Sequence, residues 1–129
     1  DRALKTANLH AAVQAAADMD LPVNIGTELN AAGQPFADDL AAAALAPHAA
    51  IYRRGAEIMA GHAILARYAG YPYTGPAAAT DLPDIKERNA FFAAVGAQPP
   101  LDRAGAKRLA GMGPAKALDH LRQAAGRAM

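Results

Sequence analysis

Alanine occupies 37 of the 129 positions of this chain, and this abundance limits what the chain can fold into. Alanine favours helix more than any other residue, but its methyl group adds little apolar area to a core. Only 31 Val, Ile, Leu, Met, Phe and Tyr residues remain to build that core. We therefore expect a mostly helical protein with a thin core and closely packed helices, forming at most one compact unit with a short appendage.

The charges are distributed unevenly along the chain. The formal net charge of +1 excludes a globally basic nucleic-acid-binding protein. Residues 1–100 carry seven Lys/Arg and ten Asp/Glu, whereas residues 101–129 carry six and two, so the tail has a net charge of +4. The chain has no cysteine and no apolar run of about 18 residues, so we expect no disulfide and no contact with a membrane. We predict a cytoplasmic protein.

Apolar spacing and helix-ending residues predict helices over residues 3–20, 36–45, 47–69, 81–96, 101–110 and 114–126. One strand is predicted over residues 21–29, where Val23, Ile25 and Thr27 alternate with polar or small residues. A single strand leaves its backbone groups unpaired. We therefore expect its neighbours to come from the remainder of a longer parent chain or from another copy of this chain.

Two glycines and two prolines interrupt residues 70–80, GYPYTGPAAAT, and this composition is typical of a linker. The sequence therefore predicts three segments. Residues 1–72 would form a βα portion, residues 73–80 a linker, and residues 81–129 a helical C-terminal segment.

The first candidate site lies in residues 24–30, NIGTELN. Glu28 would stand at the carboxyl end of the predicted strand, where barrel enzymes place active-site groups, and its carboxylate is suited to bind a metal or act as a base. Strand alternation puts Asn24 and Glu28 on one side and Thr27 on the other. We expect Asn24, Thr27 and Asn30 to orient substrate or water. The alternative is that Glu28 is a solvated charge.

The second candidate is His62, which lies on the apolar stripe of the helix predicted over residues 47–69. Imidazole is a common metal ligand and a general base near neutral pH. The alternative is a hydrogen-bonded histidine of the core. His10, His48 and His120 have no partner at the spacing of a local metal motif, and we expect them at the surface.

The third candidate lies in residues 109–121, LAGMGPAKALDHL. This segment resembles the hairpin of the helix-hairpin-helix family, in which a Gly-hydrophobic-Gly turn joins two short helices and backbone N–H groups hold a phosphate. Gly111 and Gly113 match the two glycines, and Lys116 adds a positive charge. The resemblance implies sequence-independent binding to a nucleic-acid backbone, which a basic tail favours. The alternative is that the glycines only end one helix and begin the next.

Residues 21–39, LPVNIGTELNAAGQPFADD, resemble the later part of metal-dependent hydrolases of the polymerase and histidinol phosphatase (PHP) type, which have a distorted (βα) barrel. That family places a Gly-x-Glu at a strand end and uses the Glu as a metal ligand, a role that falls here on Glu28. The resemblance extends through Gly61 and His62 to Tyr73. The family's HxH pair and its late Asp-x-His are absent from this sequence.

The residues predict a mostly α chain with one short strand, and the PHP resemblance implies that it is a fragment of an α/β (βα) barrel-like domain followed by short C-terminal helices. It also implies the carboxyl-terminal portion of a phosphoesterase-like hydrolase, inactive by itself, that binds a divalent metal ion (Zn, Mn or Mg) and a phosphate-containing substrate. The chain has neither Ser nor Cys, so a nucleophile of either kind is excluded. Two other hypotheses stay open: a non-enzymatic helical module whose tail binds nucleic acid, and a helical scaffold.

Overall fold

The structure, a computed structural model, describes residues 1–27, 30–35 and 37–128. These residues are mostly helical, as predicted. They form a short 3-10 helix, Ala46–His48, and six α-helices: α1 Arg2–Asp18, α2 Ala49–Ala69, α3 Pro76–Asp81, α4 Ile85–Gly96, α5 Arg103–Met112 and α6 Pro114–Ala128. None of these helices combines the length and apolar character that a membrane crossing requires.

The chain divides into two compact units, Asp1–Gly55 and Ala56–Met129. The boundary falls within α2, so the N-terminal unit contains α1 and the start of α2, and the C-terminal unit contains the rest of α2 with α3 to α6. The predicted linker, residues 73–80, lies inside the C-terminal unit. The division into residues 1–72, 73–80 and 81–129 stays a prediction.

The strand predicted over residues 21–29 is not confirmed. Residues 21–27 have no regular secondary structure, while Glu28 and Leu29 lie outside the described residues. A strand forms only where a neighbouring strand accepts and donates its backbone hydrogen bonds, and the described part of the chain contains no strand. The predicted barrel fragment is therefore not confirmed either.

The short helix predicted over residues 36–45 is replaced by turns in residues 37–45, and Phe36 lies outside the described residues. The carboxylate of Asp39 accepts a hydrogen bond from the backbone N–H of Ala41 at 2.9 Å. The same bond from the N–H two residues later caps the start of α1 at Asp1, so nothing in the structure explains why this run of alanines forms turns.

The C-terminal unit is built on a close contact between α2 and α4. A Cβ atom placed on Gly61 would collide with the carbonyl oxygen of Phe92, and one placed on Gly96 would collide with the carbonyl oxygen of Glu57. Glycine at both positions lets the two helix backbones touch. The side chain of Phe92 is fully buried beside this contact.

Around that contact lies a continuous apolar core in which small alanines fill the spaces between a few large side chains. Tyr71, Tyr73 and Phe91 surround the ring of Phe92 at centroid separations of 6.1, 5.1 and 5.5 Å, distances at which aromatic pairs attract each other. The expectation of a thin core with close helix packing is confirmed for this unit. Its buried residues are Ile58, Leu65, Ala69, Tyr71, Ala78, Phe92, Ala93, Ala94, Val95, Leu109, Ala117, Leu121 and Ala125.

The Gly- and Pro-rich segment of residues 70–80 contributes to this core. Tyr71 is 3% exposed and Ala78 is fully buried. Pro76 occupies the first turn of α3, where its missing N–H has no cost and its fixed φ suits a helix. The glycines and prolines therefore shape a packed turn followed by a helix, whereas the sequence predicted no regular structure there.

The contact between α2 and α4 leads to a prediction about stability. Gly61→Ala and Gly96→Ala should each lower the free energy of unfolding by about 1–3 kcal/mol, because the added methyl group forces two backbones apart. Urea denaturation followed by circular dichroism measures this effect.

A matched control is Gly126→Ala in α6, where nothing lies within 4 Å of an added Cβ atom. This variant should gain up to about 1 kcal/mol from helix propensity alone. Equal stability changes for Gly61→Ala and Gly126→Ala would show that the two helices do not touch at Gly61.

Candidate functional site

The predicted metal ligand Glu28 lies outside the described residues. Thr27, the residue before it, forms two hydrogen bonds with Asp38. The hydroxyl of Thr27 donates a hydrogen bond to Oδ2 of Asp38 at 2.9 Å. In return, Thr27 Oγ1 accepts one from the backbone N–H of Asp38 at 2.8 Å. We expected Thr27 to orient substrate. Its hydroxyl links two points of the chain that lie eleven residues apart.

The backbone of Val23 packs against α2. A Cβ atom on Gly55 would collide with the carbonyl oxygen of Val23, so the segment lies directly on the helix backbone at this point. Because Gly55 has no side chain, the backbone of Val23 can pack directly on α2, although residues 21–27 have no neighbouring strand among the described residues. This contact belongs entirely to the N-terminal unit.

The two predicted substrate-binding asparagines, Asn24 and Asn30, are exposed. The backbone N–H groups of Asn30 and Ala31 both donate to Oε1 of Gln34, at 2.5 and 2.9 Å, which forms a tight turn at that point. A cavity of about 160 Å³ lies beside Thr27 and is lined by Ile25, Gly26, Thr27, Ala37, Asp38 and Leu40.

His62, the second candidate metal ligand, forms a hydrogen bond within the C-terminal unit. The imidazole is half-buried, and its Nδ1 accepts a hydrogen bond from the backbone N–H of Tyr73 at 3.1 Å. A metal-binding histidine donates a hydrogen bond through its second ring nitrogen, whereas Nδ1 of His62 accepts one here. The geometry favours the alternative of a core histidine that holds the turn after α2. No group of three His, Asp or Glu suited to a metal ion occurs among the residues that the structure describes.

A cluster of three rings in the N-terminal unit escaped the sequence analysis. His48 is only 7% exposed, so its expected surface position is wrong, and His10 is half-buried. The ring centroids of His10 and His48 lie 4.7 Å apart, and those of His48 and Tyr52 lie 6.2 Å apart. The spacing of four residues between His48 and Tyr52 was the only local signal, since His10 and His48 lie 38 positions apart in the sequence.

Two polar atoms of this cluster are buried without a hydrogen-bond partner, namely Nε2 of His48 and the hydroxyl oxygen of Tyr52. An unsatisfied buried polar group costs about 1–3 kcal/mol. Such groups are few in folded proteins and mark places where a ligand, an ion or a water molecule supplies the missing bond.

A second polar cluster lies in the C-terminal unit around Asp81. Its Oδ2 accepts hydrogen bonds from the hydroxyl of Tyr71 at 3.1 Å and from the guanidinium of Arg122 at 2.8 Å. The guanidinium also lies over the Tyr71 ring, 5.5 Å from its centroid. Burial raises the pKa of the Tyr71 phenol, and the hydrogen bond with Arg122 acts in the opposite direction. The adjoining cavity of about 480 Å³ is lined by Asp81, Leu82, Glu87, Ala90, Phe91 and Arg122.

Tyr73, two residues further along the chain than Tyr71, has a similar environment. Its hydroxyl donates to Oδ1 of Asn89 at 2.6 Å, and the guanidinium of Arg88 lies 5.6 Å from its ring centroid. Burial raises the pKa of the Tyr73 phenol, while the positive charge of Arg88 opposes this effect. Both phenols therefore stay neutral and act as hydrogen-bond donors.

The third candidate site joins α5 to α6. Gly113 has a φ of 78°, a conformation that favours glycine, and it alone separates the two helices. Gly111 lies within the last turn of α5, since that helix extends to Met112, so the predicted Gly-hydrophobic-Gly turn is shorter than expected. No atom lies within 4 Å of a Cβ built on Gly111 or Gly113. Lys116 is exposed in the first turn of α6.

Comparison of the chain with protein-family models, curated proteins and solved structures finds no match.

The raised pKa values of Tyr71 and Tyr73 predict how stability changes at alkaline pH. A group whose pKa is higher in the folded state adds stability below its unfolded pKa, near 10.0, and this stability is lost as the pH rises through the folded pKa. The free energy of unfolding should therefore fall as the pH rises above about 10. Phenolate absorbance should appear at higher pH in the folded chain than in the same chain in denaturant.

The variants Tyr71→Phe and Tyr73→Phe should each lose part of the phenolate absorbance that appears only at the higher pH. If both variants keep all of the absorbance that appears at the higher pH, other groups cause it.

Proposed function

We propose that the N-terminal unit contributes Glu28 as a metal ligand to a metal-dependent hydrolase of the phosphoesterase type. The resemblance of residues 21–39 to PHP hydrolases supports this proposal. The structural observation that carries it is the Thr27–Asp38 pair, which anchors the residue directly before Glu28. A metal ligand must be held within a fraction of an ångström of its working position, and these two hydrogen bonds fix the chain at Thr27.

The described residues on either side of Glu28 in the sequence suit a phosphate ester. Gly26 has open space beside it and lines the cavity near Thr27, so a substrate can approach the backbone. The amide groups of Asn24 and Asn30 are exposed and can donate hydrogen bonds to phosphate oxygens. A divalent ion bound by Glu28 supplies activation of water and neutralisation of phosphate charge.

Substitution of Glu28 tests this proposal. The chain should retain Mn²⁺ or Zn²⁺ after dialysis, as measured by mass spectrometry of the metal content, and Glu28→Gln should weaken that binding by more than about tenfold, as expected for a ligand. Thr27→Val should weaken it less, because Glu28 loses its anchor but keeps its charge.

The matched control is Asp39→Asn, which removes an exposed carboxylate of the same loop and should leave metal content unchanged. Equal metal content in the parent chain and in Glu28→Gln would exclude Glu28 from the site.

A second function, binding to a nucleic-acid backbone through the C-terminal unit, is favoured by a separate observation. α5 and α6 bury Leu109, Ala117 and Leu121 in the core, and this leaves Arg108 and Lys116 exposed on either side of the turn at Gly113. The free N–H groups at the start of a helix attract phosphate, and lysine and arginine add charge attraction that does not depend on base sequence.

The nucleic-acid function predicts salt-dependent DNA binding. Lys116→Gln and Arg108→Gln should each weaken binding to every DNA sequence equally, and each should reduce the slope of log affinity against log salt by about 0.9. Fluorescence anisotropy with labelled duplex DNA measures both quantities. Lys5→Gln in α1, an exposed lysine of the N-terminal unit, is the control and should have no effect. Absence of binding at low salt would rule this function out.

A further inference from the structure

We propose that His10, His48 and Tyr52 bind a divalent first-row transition-metal ion of the Zn²⁺ type in the N-terminal unit. This site goes beyond the hydrolase proposal, because it uses neither Glu28 nor the Thr27–Asp38 pair. Its donors come from three elements: α1, the 3-10 helix Ala46–His48 and the start of α2.

Burial of unpaired donors is the first argument for the site. His48 and Tyr52 are 7% and 5% exposed, yet Nε2 of His48 and the hydroxyl oxygen of Tyr52 have no hydrogen-bond partner among the described residues. The two residues are separated by one helical turn. Two neighbouring unsatisfied groups in so small a unit need a common explanation, and one ion bound between them provides it.

The ring separations are the second argument. A zinc ion lies about 2.0–2.1 Å from an imidazole nitrogen and therefore about 3.2 Å from the ring centroid. Two imidazoles that share an ion at angles of about 90–110° have centroids about 4.5–5.2 Å apart, and the centroids of His10 and His48 lie 4.7 Å apart. For an imidazole and a phenol on one ion the same geometry gives about 6 Å, and His48 and Tyr52 are 6.2 Å apart.

The chemistry of the donors selects the kind of ligand. Two imidazoles at this distance repel each other if both are protonated, so they do not form a site for an anion. Neutral imidazoles each offer a lone pair, and nitrogen donors favour Zn²⁺, Cu²⁺ and Ni²⁺ over Mg²⁺ and Ca²⁺. Since the described residues contain no third His, Asp or Glu at this place, the phenol oxygen of Tyr52 is the third donor and water completes a tetrahedral shell.

The half-buried ring of His10 gives the ion a route from solvent, because the other two donors are covered. An ion bound by all three side chains ties α1 to the start of α2. Binding to the folded state alone then raises its stability.

Titration of the chain with Zn²⁺ alone, followed by calorimetry and thermal melting, tests the site. We expect one ion per chain at this site, besides any ion that Glu28 binds, and a higher melting temperature with Zn²⁺. His10→Ala and Tyr52→Phe should each lower Zn²⁺ affinity by about tenfold or more. Tyr52→Phe keeps the buried ring and so preserves the packing. His120→Ala, which removes a histidine of the other unit, is the control and should bind normally.

Two further measurements separate this site from the hydrolase site and from a failure of folding. Glu28→Gln should leave Zn²⁺ binding to the three rings unchanged, even if it abolishes binding elsewhere. In the unmodified chain, the imidazole proton resonances of two histidines should shift on addition of Zn²⁺. The proposal is overturned if Zn²⁺ shifts no histidine resonance, or if folded His10→Ala and Tyr52→Phe chains bind Zn²⁺ as the parent does.

Discussion

Contact between the backbones of α2 and α4 determines the architecture of the C-terminal unit. Gly61 and Gly96 remove the side chains that would otherwise separate the helices, and this brings the buried ring of Phe92 to the centre of the unit. Tyr71 and Tyr73 can then pack on that ring. The hydroxyl groups of the two tyrosines bond to Asp81 and Asn89. Because Tyr71 packs on Phe92, the position of the Asp81 cluster depends on the distance between α2 and α4.

In the N-terminal unit a glycine again permits a close backbone contact, but the segment that packs on the helix is not itself helical. Gly55 lets the carbonyl oxygen of Val23 lie on α2, and the Thr27–Asp38 hydrogen bonds close the chain beyond it. Close packing and side-chain bonds thus hold a segment in place that has no backbone ladder. Polar loop segments held in this way are common settings for binding residues.

The sequence predicted features that depend on near neighbours along the chain and missed those that depend on distant ones. Helices were predicted to begin at residues 81 and 101, and α4 and α5 begin two to four residues later. There the carboxylates of Asp84 and Asp102 accept hydrogen bonds from N–H groups three residues further on. Alternation over residues 21–29 indicated a strand, but pairing needs a partner that no local pattern reveals. The cluster at His48 was missed for the same reason, because His10 reaches it only through the fold.

Buried alanines lower the side-chain entropy that the C-terminal unit loses on folding. The fully buried ones are Ala78, Ala93, Ala117 and Ala125. Each contributes little to the attraction between helices, but an alanine side chain has no rotamers to lose on folding, whereas a buried methionine loses up to about 2 kcal/mol of rotamer entropy. The shape of this interior is set mainly by the backbone. Its ordering therefore requires few side chains to give up their freedom.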